Sequence, residues 1–282
     1  MVGTEQNTVS EPGVGGRSPG RVRRGPSTSD LARWSVSLGS VAAVLLIWEL
    51  YGRAQETSLF FVPFSGVVAA LWELGQTAEF WDAARQTMIP FVWGWVLSLV
   101  VGIGLGLLIG TYPMIEALTK PYVTFLNALP VSTLVPVAVI LLGIGYSSRI
   151  LIVFLFGVIE VTLNTAAGVR YVDRDLIEMG RAFNAPRWRL FRRVVLPAAS
   201  PGIMAGVRIG TGRAVVGMVV VEILLVAVGM GRLILRYRGR FQSAELYAVV
   251  LALILFGILL QVVARQVERR VSRWKSEVEG NT

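Results

Sequence analysis

The sequence contains neither cysteine nor histidine in its 282 residues. Without cysteine the chain has no disulfides, no thiolate metal ligands and no cysteine nucleophile, and without histidine it has no imidazole-based catalytic triad. Lysine is nearly as scarce, since Lys120 and Lys275 are the only two, which leaves little support for serine–lysine chemistry. The sequence therefore predicts no catalytic residues, no metal site and no cofactor.

Charged residues and nucleotide-binding motifs are also in short supply. Only 16% of the residues are charged, against about a quarter in ordinary soluble domains, whereas 54% are hydrophobic. There is no Gly-x4-Gly-Lys-Ser/Thr sequence, so the chain lacks the loop that cradles the phosphates of ATP. We therefore expect an integral membrane protein, surrounded by the lipid bilayer, that is not itself an enzyme.

Six apolar segments predict an all-α membrane protein with six transmembrane helices, because helices satisfy every backbone group inside lipid. Each segment has roughly the 20 residues needed to cross a bilayer. Residues 1–33 are rich in Gly, Pro, Ser and Arg and predict a disordered cytoplasmic tail, 34–275 form the transmembrane domain, and 276–282 a short cytoplasmic tail. The predicted spans lie near 35–52, 88–111, 122–143, 149–169, 203–228 and 246–265.

The distribution of positive charge predicts which side of the membrane each loop faces. With the N-terminus inside the cell, 18 lysine and arginine residues fall in cytoplasmic segments and seven, Arg149 among them, in outer loops. Such an excess marks the cytoplasmic side. We therefore expect both termini in the cytoplasm, and the net charge of +9 is explained without nucleic acid as a partner.

The first outer loop contains a short amphipathic segment, Pro63 to Leu74. Its apolar face comprises Val67, Val68 and Leu71, and Pro63 suits the start of a helix. We expect this helix to lie along the membrane interface.

Glycines recur at every fourth residue in two of the apolar segments. Each set lines one face of its helix and lets another backbone approach closely. Tight packing within the subunit is the favoured interpretation, and a sliding or gating surface is the alternative. The two sets are Gly102, Gly106 and Gly110, and Gly202, Gly206 and Gly210.

Prolines and polar residues interrupt the third apolar segment. Pro130 and Pro136 each remove a backbone donor, and Asn127, Ser132 and Thr133 lie between or beside them. A broken helix with polar groups at membrane depth either lines a pathway or is a kink whose free carbonyls are satisfied by neighbouring hydroxyls. Both interpretations remain open.

Two arginines and two glutamates inside predicted spans are candidates for a role within the membrane. Arg208 and Arg213 are near the cytoplasmic end of the fifth span and are expected to snorkel towards the interface. Glu160 and Glu222 lie deeper, where a carboxylate either lines a pathway or pairs with a residue of another helix. The candidates for lining a pathway are Asn127, Pro130, Ser132, Glu160, Asn164 and Glu222.

The loop between the fourth and fifth spans, Asp175 to Pro197, predicts a cytoplasmic helical hairpin. Asp175 and Glu178 resemble a capping box, Asn184 suits the left-handed residue that closes a helix, and Pro186 suits the first turn of a second helix that Pro197 ends. An exposed apolar stripe with a basic rim predicts either a protein partner or the anionic membrane surface.

This hairpin resembles the "EAA…G…I-x-L-P" loop of binding-protein-dependent ABC importer permeases, closest to the nitrate/sulfonate/taurine-type branch. The resemblance covers residues 40–275. The sequence departs from the pattern at Met179 and Gly180, which replace two alanines, at Asn184, which replaces glycine, and at Val194, which replaces isoleucine; Gly180 still meets the requirement for a small residue. The positions aligned with the pattern are Glu178, Gly180, Asn184, Val194, Leu196 and Pro197.

The resemblance implies a coupling helix that docks on a separate ATPase, with two ATPase subunits, a second copy of this chain and an extracytoplasmic substrate-binding protein as partners. It implies a bacterial inner-membrane importer for a small solute, such as a sulfonate, nitrate or aromatic carboxylate. Rival interpretations are an ion-coupled transporter or channel, and a scaffold without transport. The expected contact with the ATPase is made by Ala185, Pro186, Arg187 and Trp188, with Glu178 shaping it.

A cluster of arginines in the last outer loop departs from the charge asymmetry. It either forms a solvated edge or attracts an acidic face of the binding protein or an anionic solute. Its members are Arg232, Arg236, Arg238 and Arg240.

Overall fold

The structure is a computed structural model that describes residues 28–54, 60–224 and 228–271. All secondary structure in this part of the chain is helical, which confirms the predicted fold class. The helices are α1 (Thr28–Ala54), α2 (Phe64–Gly75), α3 (Ala78–Thr111), α4 (Pro113–Ala128), α5 (Leu134–Leu142), α6 (Tyr146–Arg170), α7 (Arg174–Ala182), α8 (Arg187–Leu190), α9 (Leu196–Leu224), α10 (Gly229–Gly239) and α11 (Ser243–Val271).

The first helix begins earlier than the sequence indicated. Residues 28–33, which we expected to belong to the tail, are helical, because Thr28 and the two residues after it are of types that favour a helix start. The rest of both predicted tails lies outside the described residues. Residues up to Trp48 form one unit and those from Glu49 a second. Within the first unit, the exposed apolar side chains include Val36, Val41, Val44, Leu46 and Ile47.

Three helices, α3, α6 and α11, are each long and apolar enough to cross a membrane. Two bent combinations raise the number of candidate spans in the described residues to five at most: α4 with α5, and the helical run from α8 to α9 with α10. The first helix, α1, is not among them. The structure thus contains several candidate spans, while the count of six stays a prediction.

The third predicted span is broken, as the prolines indicated. The α4 helix ends at Ala128, and its axis is bent by 80° from that of the segment Val131–Leu142. Leu129 is extended, with φ −73° and ψ 133°, because the ring of Pro130 disfavours a helical residue before it. The break therefore places the polar residues around Pro130 at the junction of two helices.

The short helix α2 forms as expected, but its apolar face does not lie free for the interface. Val67, Ala70 and Leu74 are buried, whereas Val68, which we assigned to the apolar face, is 45% exposed. The face is closed by neighbouring helices that the local sequence cannot reveal. The packing partners are Phe80 and Ala83 of α3, Met230, Leu233 and Ile234 of α10, and Ala248 and Val249 of α11.

Both glycine sets pack onto α6, on neighbouring faces that share Val161, which supports packing within the subunit. A β-carbon at Gly106 of α3 would lie 2.5 Å from Cβ of Thr165, and one at Gly202 of α9 would lie 2.5 Å from Cα of Gly168. Since atoms cannot approach so closely, only glycine permits these helix–helix distances. The two stripes make α3, α6 and α9 the tightly packed centre of the second unit.

Candidate functional site

The hairpin begins at Arg174, two residues after the end of the turn that follows α6. Its cap is Asp173, whose side chain accepts a hydrogen bond from the backbone N–H of Asp175 at 3.0 Å. The predicted capping box at Asp175 is therefore wrong by two residues. Asp173 has the extended backbone that a cap requires, with φ −57° and ψ 129°, whereas Asp175 already lies inside the helix.

The turn of the hairpin has the predicted left-handed residue. Asn184 has φ 53°, the backbone N–H of Asn184 donates to the carbonyl of Arg181 at 2.8 Å, and that of Ala185 donates to the carbonyl of Gly180 at 3.2 Å. This pair of hydrogen bonds is a Schellman motif, which closes a helix at a left-handed residue. Asparagine tolerates this conformation better than most other residues with a side chain. The turn is thus fixed by local backbone chemistry.

Gly180 lets the two arms of the hairpin touch. A β-carbon there would collide with Cδ1 of Leu190, which is the buried residue of α8. The collision involves the end of a flexible side chain, so a larger residue would shift Leu190 rather than break the backbone. A small residue at 180 therefore sets how α7 meets α8.

The tip of the hairpin exposes aromatic and apolar side chains. Trp188 is 69% exposed and its ring stacks on that of Phe191, and Phe183 is 83% exposed. Exposed apolar side chains that cluster beside arginines mark a surface for a partner. Of the predicted contact residues, Pro186, Arg187 and Trp188 are exposed and Ala185 is half-buried; Glu178 and Asn184 are exposed as well.

The second arm of the hairpin does not end at Pro197, so that prediction is wrong. Residues 191–195 form a π-helical turn, in which the backbone N–H of Leu196 donates to the carbonyl of Phe191, and α9 follows without interruption. A π turn changes the hydrogen-bond register just before Pro197, which has no N–H to donate. Val194, Leu196 and Pro197 therefore join the hairpin to α9 as one continuous helical run.

A cleft of about 310 Å³ lies where α4 and the turn before α5 face α6 and α9. It brings together four of the six candidate pathway residues, from α4, from the break after it and from α6. We call it the Glu160 cleft. Arg213 and several apolar residues complete its walls, and two further candidates, Asn164 and Glu222, do not line it. The four candidates that line it are Asn127, Pro130, Ser132 and Glu160.

An ion pair lies in the wall of this cleft. Nε of Arg213 is 3.2 Å from Oε1 of Glu160, and the two side chains are 60% and 20% exposed. We expected Arg213 to snorkel to the interface, but the structure directs it to the cleft, because a carboxylate of the adjacent helix is within reach. The arginine was overlooked as a lining residue for this reason.

Asn164 contributes to packing beside the cleft. Its Nδ2 donates to the carbonyl of Glu160 at 2.8 Å, one turn earlier in α6. Gly206 of α9 lies against it, since a β-carbon at Gly206 would be 3.0 Å from Cβ of Asn164. This position fits a role in the α6–α9 contact.

Glu222 lies in a buried polar cluster and not in the cleft. Its carboxylate accepts hydrogen bonds from Oγ1 of Thr87 at 2.8 Å and from the N–H of Gly231 at 3.0 Å. Nη1 of Arg149 is 3.7 Å away, and that side chain is only 3% exposed. Arg149, which we counted among outer-loop charges, is thus buried. The arrangement matches the alternative of pairing between helices, and we call it the Glu222 cluster.

The Glu222 cluster also holds the start of α10. The hydroxyl of Thr87 accepts from the N–H of Met230 at 2.9 Å, and Gly229 has φ 61°. A β-carbon at Gly231 would lie 2.5 Å from Cβ of Glu222, so the backbone of α10 rests directly on the carboxylate side chain. Four helices, α3, α6, α9 and α10, therefore meet at one buried carboxylate.

The four arginines of α10 and the residue after it are not equivalent. Arg236 is paired with Glu79 of α3, and Arg232 is half-buried, with an Nε that has no hydrogen-bond partner within the described residues. Arg238 and Arg240 are exposed. Only these last two present their charge freely to a partner.

A second polar pocket, of about 200 Å³, was not anticipated from the sequence. We call it the Lys120 pocket. Its wall includes Lys120, and an ion pair in which Nη1 of Arg170 lies 2.7 Å from Oε1 of Glu116. The lone lysine among the described residues was the available signal. That part of the chain contains no group of three acidic residues able to hold a metal ion.

The part of the chain that contains these features is similar to known proteins. The profile of the family described as "Binding-protein-dependent transport system inner membrane component" matches residues 98–273, which include the hairpin, the cleft and α10. The taurine transport system permease protein TauC of Escherichia coli is 26% identical over 86% of this chain and 91% of its own length. The riboflavin transport system permease protein RibX of Chloroflexus aurantiacus is 29% identical over 83% and 87%.

A solved structure shares the fold. The chain matches a subunit of the MetNI methionine ABC transporter in an inward-facing conformation, with a TM-score of 0.54 and 19% identity. The match covers 68% of this chain and 94% of the other.

Proposed function

This chain belongs to the family of binding-protein-dependent transport system inner membrane components, and we propose that it forms the membrane pathway of an ABC importer for a small organic anion. Family membership confirms that the chain is a permease subunit of the inner membrane and not the ATPase. The partners, the direction of the loops and the solute are the proposed part.

The observation that carries the proposal is the continuity between the hairpin and α9. The exposed tip, with Trp188 and Arg187, is joined through residues 191–195 to a helix of 29 residues without a flexible linker. A force applied at the tip is therefore transmitted along α9, which contributes Arg213 to the Glu160 cleft. We propose that two ATPase subunits bind two such hairpins, one from each copy of the chain, on the cytoplasmic side.

A second copy of the chain completes the pathway in this proposal. The α4 helix buries none of its residues, and large apolar side chains of α4 and α5, two elements beside the cleft, are exposed. A face of this kind is either lipid-exposed or covered by protein. A homodimer would enclose the cleft between two copies. The exposed side chains include Leu118, Tyr122, Phe125, Ile140 and Leu141.

The opposite end of the protein is proposed to receive the binding protein. With the hairpin in the cytoplasm, α10 lies towards the outside, and Arg238 and Arg240 are exposed there. Positive charge steers an acidic surface into contact over distances longer than a hydrogen bond. The charge distribution along the chain supports this orientation, with both termini in the cytoplasm.

The anionic nature of the solute rests on Arg213. A guanidinium within a membrane-spanning helix is costly unless it has a function or a partner, and Glu160 occupies only one of its donors, Nε. The remaining donors suit a sulfonate or carboxylate. The name of the TauC relative is consistent with a sulfonate, whereas that of RibX indicates that cargo differs among relatives.

Replacement of one tryptophan tests the proposal. We expect Trp188→Ala to reduce the ATPase that co-purifies with the permease by about tenfold, which corresponds to the loss of one aromatic anchor. Trp72→Ala is the matched control, because Trp72 is 74% exposed on α2, away from the hairpin. Equal recovery of the ATPase with both variants would overturn the proposed docking, and uptake driven by an ion gradient without any ATPase would overturn the importer.

A further inference from the structure

The Lys120 pocket and the Glu160 cleft lie along the same helix. Glu160 lines the cleft and Arg170 lines the pocket, ten positions further along α6, which corresponds to about 15 Å along its axis. Arg170 is also the last residue of α6, three positions before the cap of the hairpin. The pocket therefore lies between the middle of α6 and the end that carries the hairpin.

The pocket differs from the cleft in its charge. In the cleft, Arg213 and Glu160 neutralise each other. In the pocket, Glu116 neutralises Arg170, and Lys120 has no ion-pair partner within the described residues, so one positive charge remains. An anion therefore gains more from the pocket than from the cleft, since only the pocket supplies an uncompensated cation.

Hydroxyl groups complement this charge. Thr124 and Thr162 line the pocket, and neither hydroxyl has a hydrogen-bond partner among residues 28–54, 60–224 and 228–271. The hydroxyl of Thr119 is different, because it donates to the carbonyl of Ile115 at 2.7 Å. A lysine ammonium with two free hydroxyls offers several donors to the oxygens of one anionic group.

We propose that the Lys120 pocket binds a tetrahedral oxyanion, the sulfonate or phosphate group of a ligand. The ammonium supplies a point charge with rotatable donors, which suits an oxyanion without demanding a planar, two-pronged partner. Two ligands present this chemistry at such a position: the transported solute on its way inwards, which rests on the proposed function, and the headgroup of an anionic lipid in the adjacent leaflet.

The test measures thermal unfolding of the purified permease–ATPase complex in detergent at constant ionic strength. Sulfate replaces chloride in one arm, and dioleoylphosphatidylglycerol replaces dioleoylphosphatidylcholine in the other. We expect at least one of them to raise the unfolding midpoint. Lys120→Gln should weaken the apparent affinity about tenfold, while Lys120→Arg should largely retain it. Arg265→Gln removes the same charge from an exposed position outside the pocket and should behave as wild type.

The two arms separate the sources of the ligand. A Lys120-dependent shift with sulfate assigns the pocket to the solute group, one with the anionic lipid assigns it to a headgroup, and either result supports the proposal. Absence of a shift in both arms, or an unchanged response in Lys120→Gln, overturns it. Assembly with the ATPase is recorded in the same samples, so a failure of the proposed function shows as missing complex, independently of the midpoint.

Discussion

The two sides of α6 differ in how they are covered. Towards α3 and α9 the helix is held by glycines, at distances where a single added carbon atom would collide. Towards α4 and α5 it borders the Glu160 cleft and the Lys120 pocket, and α4 buries none of its residues. One helix thus separates a tightly packed centre from an open face, and the charged residues of the cleft and the pocket lie on the open face.

The two deep glutamates, Glu222 and Glu160, differ in the same way: one is tightly packed and the other lies on the open face. Glu222 is 1% exposed, with partners from α3, α6 and α10. The side chain of Glu160 is 20% exposed and has one ion-pair partner beside open space. Nothing in their sequence surroundings distinguishes them. Their roles differ because one lies among four helices and the other at the edge of a groove.

The largest expected effect is a loss of stability on the tightly packed side of α6, in the Glu222 cluster. Glu222→Ala leaves Arg149 buried without its countercharge, and removal of one partner from a buried pair costs about 3–5 kcal/mol. We expect a much lower unfolding midpoint and reduced folded yield in detergent. Glu160→Ala, whose partner Arg213 is exposed, should lose much less. The contrast would be broken if both variants lost the same stability.

Substitution of a packed glycine should cause an intermediate loss of stability, and a second glycine of the same helix serves as the control. Gly106→Ala places a methyl group 2.5 Å from Cβ of Thr165, and overpacking of this kind costs about 1–3 kcal/mol. At Gly104 of the same helix nothing lies within 4 Å of the added carbon, so Gly104→Ala should be neutral or slightly stabilising. Thermal unfolding of the two variants compares them directly, and a neutral Gly106→Ala would contradict the packing described for α3 and α6.

A substitution on the open face should reduce transport and leave stability nearly unchanged. Arg213→Gln should shift the free energy of unfolding by no more than about 0.5 kcal/mol, since the side chain is 60% exposed. Uptake of the anionic solute by the reconstituted transporter should fall about tenfold. Arg208→Gln is the control, because Arg208 lies in α9 but pairs with Glu268 outside the cleft. Equal uptake by both variants would remove Arg213 from the pathway.

Local chemistry made parts of the hairpin predictable from sequence. Asn184 adopts the expected left-handed conformation, since few other residue types tolerate it. Pro130 breaks the third segment for an equally local reason. Pro197 was misinterpreted, because a π turn just before it accommodates the missing donor without ending the helix.

Features that depend on neighbouring helices were not predictable. The apolar face of α2 was assigned partly to Val68, but α3, α10 and α11 cover Val67, Ala70 and Leu74 instead. The sequence placed Arg149 among the charges of an outer loop, whereas in the structure it is buried beside Glu222. In each case the side chain's surroundings depend on residues that are distant in the sequence. No local sequence pattern contains such a contact.

The most direct test of the central claim uses the absence of cysteine, since any introduced cysteine is unique in this chain. Arg187→Cys at the hairpin and Arg240→Cys beside α10 are both exposed sites for a thiol-reactive cross-linker in inverted membrane vesicles that contain the whole transporter. We predict a covalent product with the ATPase from Arg187→Cys and none from Arg240→Cys. A product from Arg240→Cys alone, or from neither position, would contradict the claim that the hairpin is the part gripped by the ATPase.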